Sequence, residues 1–128
     1  VSVGANYNST TRVLNVSLTN TLQVNVSGNY KLFCVITEDS VHGTASGYNQ
    51  SNAYSGGGNG VMGGFEALGN PVPAAQMYYS HVARALSPDF TGYQNAFGAT
   101  ATAGSIFTYN FTFTLPAAWH SNRVHIIG

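Results

Sequence analysis

Between Phe107 and Thr114 the sequence alternates strictly, with Phe107, Tyr109, Phe111 and Phe113 interleaved by Thr108, Asn110, Thr112 and Thr114. A pleated strand sends successive side chains to opposite faces, so this order places four aromatic rings on one side and polar groups on the other. A helix would scatter the same residues around its axis. Rings gathered on one face bury a large apolar area, so this strand is expected to anchor a core. The same period of two runs through Val1, Val3, Ala5 and Tyr7, through Leu14, Val16 and Leu18, and through Leu22, Val24 and Val26. Asn8-Ser9-Thr10, Thr19-Asn20 and Gly28-Asn29 interrupt it as turns. Tyr30 to Thr37 is apolar on both faces, as in a central strand, and Val124 to Ile127 reads as a last one. Pro116 ends the aromatic strand, and Trp119 is expected to close one end of the core. The pattern predicts an all-β chain: an immunoglobulin-like, Greek-key β-sandwich of about seven or eight strands. It is read as a single domain over residues 1–128.

Two stretches resist that reading. From Glu38 to Pro73 the chain is rich in Gly, Ser and Asn, with Gly56-Gly57-Gly58-Asn59-Gly60 at its centre. It reads as a long crossover loop over 40–73, a length that goes with function or mobility. Ala74 to Leu86 fits either period. Ala74, Met77, His81 and Ala85 make a helical stripe, whereas Tyr78, Ser80, Val82, Arg84 and Leu86 make a strand face.

Charged residues are only 6% of the 128, and formal net charge is zero. Nothing draws such a chain toward nucleic acid or an anionic membrane. Its solubility rests on Asn, Ser and Thr, a surface typical of extracellular β-proteins. No apolar run approaches the ~20 residues of a membrane helix, so the chain is not expected to span one. Val1 opens no charged leader, and Gly128 falls inside an apolar run. A fragment of a longer exported protein is therefore expected. The lone Cys34 can form no internal disulfide; it shares a strand face with Tyr30, Leu32 and Ile36 and reads as a small buried hydrophobe.

Catalytic signatures are missing. There is no Gly-x-Ser-x-Gly elbow, and no Lys-Ser/Thr follows the glycine run. Glu38 and Asp39 are adjacent, so a strand would point them apart, while Glu66 and Asp89 stand alone. His42, His81, His120 and His125 share no ligand spacing, so no metal or other cofactor is expected. His81 and Arg84 are further candidate ligand-facing residues, on opposite sides of a strand; Arg84 calls for a carboxylate partner among Glu38, Asp39 and Glu66, or else faces a ligand. Tyr48, Tyr54, Tyr78 and Tyr79 are the candidate stacking platforms for a glycan. Sequons occur at Asn8, Asn15, Asn25, Asn49 and Asn110, with Asn49 in the loop.

Two segments, Tyr30-Lys31-Leu32-Phe33-Cys34-Val35-Ile36-Thr37-Glu38-Asp39 and Tyr78-Tyr79-Ser80-His81-Val82-Ala83-Arg84, resemble the Omp28-related outer membrane proteins of the Bacteroidota. The closing strand pattern with Pro116 and Trp119 is similar too. The resemblance implies an Ig-like β-domain on an outer-membrane-associated or secreted protein, and it favours a strand over 76–86. The family's histidine two residues before the one matched by His81 is Tyr79 here, which speaks against a shared His pair. No Cys-x-x-Cys represents the thioredoxin-like domain that many members carry. Asp39-Ser40-Val41 is similar to the O-glycosylation signal of exported Bacteroidota proteins, making Ser40 a candidate modified residue. The expected role is non-catalytic: a cell-surface structural or adhesive module, partnered by other domains or subunits of a surface assembly. The alternative is a carbohydrate-binding module that uses the loop tyrosines.

Overall fold

The alternation of the aromatic strand governs the structure. A computed structural model describes the whole chain, Val1–Gly128. It is all-β and antiparallel, with strands β1 (Ser2–Asn8), β2 (Val13–Thr21), β3 (Val26–Ser27), β4 (Cys34–Glu38), β5 (Val82–Ser87), β6 (Thr100–Ala101), β7 (Ile106–Thr114) and β8 (Val124–Ile127). Its only helical elements are short 3-10 turns, and no helix is long and apolar enough to cross a membrane. The chain divides into two compact units, one of Val1–Glu38 with His81–Gly128 and the other of Asp39–Ser80. All eight strands belong to the first.

Along β7 burial alternates residue by residue. Phe111 and Phe113 are buried, Phe107 and Tyr109 are half-buried, and every intervening Thr or Asn is exposed. β2 lies beside β7 with Leu14 opposite Phe113, Val16 opposite Phe111 and Leu18 opposite Tyr109, so directly opposed side chains fill one face. β1 covers the other edge of β2, giving a sheet ordered β1-β2-β7. The β1–β2 turn is held by Asn8, whose Oδ1 accepts the Thr10 and Thr11 N–H groups at 3.0 Å each. Arg12 closes it, donating to the carbonyls of Leu115, Pro116 and Trp119 at 2.9, 2.8 and 2.7 Å.

A second sheet is ordered β5-β4-β8, and a small third one pairs β3 with β6. Cys34 and Ile36 of β4, with Leu32 before it, join Leu14, Val16, Leu18, Phe111, Phe113 and Leu115 in a single apolar cluster. Leu18 and Ile36 are fully enclosed there. Such burial contributes about 1.5–3 kcal/mol per side chain. Trp119 packs against the same cluster.

Three expected strands change length. The run from Tyr30 to Thr37 enters the ladder only at Cys34; before that, Leu32 bridges Tyr93 and the Tyr30 carbonyl accepts the Ala96 N–H. That approach needs Gly92, since a Cβ there would lie 3.0 Å from the Leu32 oxygen. Leu22 to Val26 is not one strand. Leu22 closes the β2–β7 ladder against Gly104 and Ser105, Val24 turns to solvent, and only Val26–Ser27 pairs again. The strand expected over 76–86 is β5, beginning at Val82. Ala74–Gln76 forms a 3-10 turn, and His81 takes a left-handed φ of 55°, which ends any extended run.

β5 also carries a bulge. Ile36 faces Ala85 but Thr37 faces Ala83, leaving Arg84 as the extra residue. Bulges re-aim a side chain, and this one bears the arginine.

The Asp39–Ser80 unit has no strand, yet it is more than a loop. It holds 3-10 turns at Ser46–Tyr48, Phe65–Ala67 and Ala74–Gln76, with bridges Val41 to Tyr79 and Gln50 to Val72. Val72, Ala74 and Met77 are buried. Asn52 organises the interior: its Nδ2 donates to the carbonyls of Phe65 at 2.7 Å and Gly69 at 3.2 Å, and its Oδ1 accepts the Tyr54 N–H at 3.1 Å. A buried amide so fully paired fixes irregular backbone as a ladder would.

Candidate functional site

The expected ligand-facing residues fall into both units. Tyr48, Tyr54, Tyr78 and Tyr79 belong to Asp39–Ser80, whereas His81 and Arg84 belong to the strand-bearing unit.

Within Asp39–Ser80, Tyr48 and Tyr79 are brought together, with ring centroids 6.4 Å apart and the Tyr79 hydroxyl donating to the Tyr48 carbonyl at 2.7 Å. The Tyr48 ring lies against Gly43, where a Cβ would come within 2.5 Å of it. Tyr78 stands apart from this pair. It is 63% exposed and lies flat on His42, with centroids 4.4 Å apart and planes 15° from parallel. His42 is held in turn by Nδ1 against the Met77 carbonyl at 2.7 Å. The bridge between Val41 and Tyr79 aligns the two chain segments that carry His42 and Tyr78. Tyr54 lies elsewhere, in the turn that Asn52 organises. Asn49 is exposed, and its Oδ1 accepts the Ala74 N–H; Ser40 is half-buried with a left-handed φ of 55°.

In the strand-bearing unit, the bulge turns Arg84 toward Glu38, which is only 2% exposed. Arg84 Nε stands 3.2 Å from Glu38 Oε2, close enough for an ion pair but off the line of a hydrogen bond. Glu38 Oε1 accepts the His120 N–H at 2.7 Å and faces His120 Nδ1 at 3.3 Å. The Arg84 guanidinium lies 4.8 Å from the Trp119 ring centroid, a cation–π distance. Of the three carboxylates open to Arg84 in the sequence, Glu38 is the partner.

No family model, curated protein or solved structure matches this chain. The chemistry of the side chains is therefore the guide.

That chemistry is largely committed inward. Glu66 Oε2 accepts the N–H groups of Met62 at 2.9 Å and Gly64 at 3.0 Å, and the Met62 bond above all holds its carboxyl below the ordinary range. Asp89 is held low chiefly by the Thr91 hydroxyl, with the Thr91 and Gly92 N–H groups adding to it. Cys34 is fully enclosed, and burial pushes its thiol up to about 11, far from a reactive thiolate at neutral pH. No three His, Cys, Asp or Glu side chains gather as a metal-binding group. A cleft of about 670 Å³ is lined by Val26, Phe97 and Phe107 with Asn25, Ser27 and Ser105, of which the sequence marks Asn25 alone as a candidate, and only as a sequon. Its walls come from β3, β6 and the start of β7, whose pairing no local pattern announces. His42 was also missed as a support for Tyr78; only the bridge joining their segments reveals it.

Proposed function

We propose that the chain is a non-catalytic structural or adhesive module of an extracellular or cell-surface assembly. The carrying observation is the pair of open margins on the β1-β2-β7 sheet. β1 and β7 each have a strand on one side only, and neither contains a charged residue or proline. Natural sheets guard such edges with Lys, Pro or bulges, and unguarded ones accept a strand from another chain. The partner in this reading is another domain or subunit of the assembly. With both three-stranded sheets contributing to one apolar cluster, we read the strand-bearing unit as an Ig-like, Greek-key sandwich. Placement outside the cell, on an outer-membrane-associated protein like the Omp28-related family, is supported by the neutral Asn-, Ser- and Thr-rich surface.

Light scattering over a wide concentration range tests the assembly. Mass is expected to grow with concentration, and Val3→Lys or Thr108→Lys should suppress the growth while leaving the circular dichroism spectrum unchanged. A strictly monomeric wild type at high concentration would remove the reading.

A second reading, carbohydrate binding, is favoured by Tyr78, an exposed ring held flat by His42. Sugar faces stack on such platforms. Glycan-array binding lost in Tyr78→Ala but kept in Tyr54→Ala would support it; no binding to any glycan would exclude it.

A further inference from the structure

We infer that the cleft formed by β3, β6 and the start of β7 is a binding site for a neutral carbohydrate. All its lining residues belong to the strand-bearing unit, so it is a different site from the Tyr78 platform and stands independently of it. Its volume of about 670 Å³ is within the ordinary range for small-molecule sites. Two half-buried rings, Phe97 and Phe107, form its apolar part, with centroids 5.2 Å apart and planes inclined by 48°. Phe97 also packs against the apolar cluster, which fixes that ring from behind.

Hydroxyls and one amide form the polar part. Thr102 Oγ1 and Ser105 Oγ share a hydrogen bond of 3.2 Å, and each oxygen keeps capacity for another partner. Asn25 Oδ1 accepts the Ala103 N–H at 2.8 Å, which sets the amide plane and leaves Nδ2 to donate. The backbone carrying these groups is pinned. Ser27 pairs with Thr100 between β3 and β6, and the Gly28 N–H donates to the Ala99 carbonyl at 2.9 Å. The Ser105 carbonyl accepts the Leu22 N–H at 3.0 Å, and the Leu22 carbonyl accepts the Gly104 N–H at 2.8 Å. A site held this way needs little ordering when a ligand arrives.

The chemistry of the walls selects the ligand class. None of the nine lining residues carries an ionisable side chain. A phosphate or carboxylate would give up its water with no cation to replace it. A purely apolar ligand, such as an acyl chain, would leave the hydroxyls and the Asn25 amide unpaired. A sugar ring satisfies both parts. Its weakly positive C–H face suits the negative face of a phenyl ring, while its hydroxyls donate to and accept from Thr102, Ser105 and Asn25.

The test is an NMR titration of the isotope-labelled full chain with cellobiose, maltose and lactose, and with digalacturonate as a charged counterpart. At least one neutral disaccharide is expected to shift the Thr102, Ser105 and Phe107 amides saturably, and digalacturonate to leave them in place. Asn25→Asp keeps the oxygen that holds Ala103 but removes the donating nitrogen, and Thr102→Val keeps the shape but removes the hydroxyl. Each should weaken binding by about fivefold or more, the worth of one neutral hydrogen bond. Phe97→Leu, which retains apolar bulk without the ring face, should weaken it too. Phe90→Ser, at an exposed ring outside the cleft, serves as the control and should bind like the parent. Unchanged amide signals from β2 and β4 in each variant separate loss of the site from loss of the fold. The proposal is overturned if no neutral disaccharide shifts the cleft amides, or if digalacturonate binds equally well. Shifts centred on His42 and Tyr78 instead, or binding that survives both Asn25→Asp and Thr102→Val, would overturn it as well.

Discussion

Glu38 concentrates the electrostatics of this chain at one buried point. Its carboxylate meets Arg84, the His120 N–H and the His120 ring, while the Trp119 face covers the guanidinium. A buried pair is weak evidence of net stabilisation, but breaking one leaves a charge without compensation. Arg84→Met should therefore lower unfolding free energy by about 3 kcal/mol, toward the low end for buried pairs because the guanidinium retains some water. Urea unfolding measures this, and the added change Glu38→Gln should recover part of the loss. If Arg84→Met unfolds like the parent, the pair does not hold the bulge. Glu66 gives a pH signature. Its folded carboxyl titrates below the ordinary value because N–H groups favour its charged form. The stabilisation is thus complete above the unfolded value and fades as pH falls through the lower, folded one. Thermal melts between neutral and strongly acidic pH should show a shallower acid-side decline in Glu66→Gln than in the parent. Identical slopes would mean that the Met62 and Gly64 contacts contribute nothing.

The strands differ in how deeply they commit their side chains. On β7 burial deepens along the strand, from half-buried Phe107 to enclosed Phe111. Phe111→Ala should therefore cost about 3–5 kcal/mol, as core aromatic truncations do, and Phe107→Ala clearly less. Equal shifts in urea midpoint would contradict the gradient. β2 and β7 were legible in the sequence because nine consecutive residues in each obey one period and pair in one register. Leu22 to Val26 obeys the same period and still fails as a strand. Alternation fixes which residues could share a face, not whether a neighbouring strand is present to receive them. The sequence names His81 and Arg84 as candidate ligand-facing residues, but their backbone setting is hidden from it. His81 has a left-handed backbone, and the bulge at Arg84 is set by the β4 register. Tyr78 is a candidate by residue type alone; the stacking of its ring on His42 was not legible, because the two meet only through a bridge across the unit.

At the scale of the whole molecule, the two compact units hold themselves together by different means. The strand-bearing unit has ladders over a large apolar cluster, whereas Asp39–Ser80 relies on Val72, Ala74, Met77 and the Asn52 network. Local stability follows buried apolar contact, so native-state hydrogen exchange should find the Val16 and Phe111 amides far slower than that of Val72, although Val72 donates a good 2.8 Å bond to the Gln50 carbonyl. Equal protection would mean the units open as one. The position of Asp39–Ser80 in the chain has an evolutionary corollary. It departs after Glu38 and returns just before Val82, and those two residues are partners in the β4–β5 ladder. Both ends of the excursion are thus pinned a few ångströms apart by the scaffold itself. Closing a longer flexible excursion across the same gap costs only about 0.6 kcal/mol for each doubling of length. The junction therefore behaves as a grafting point, where the intervening cassette can be exchanged, shortened or diversified without resetting the strands on either side.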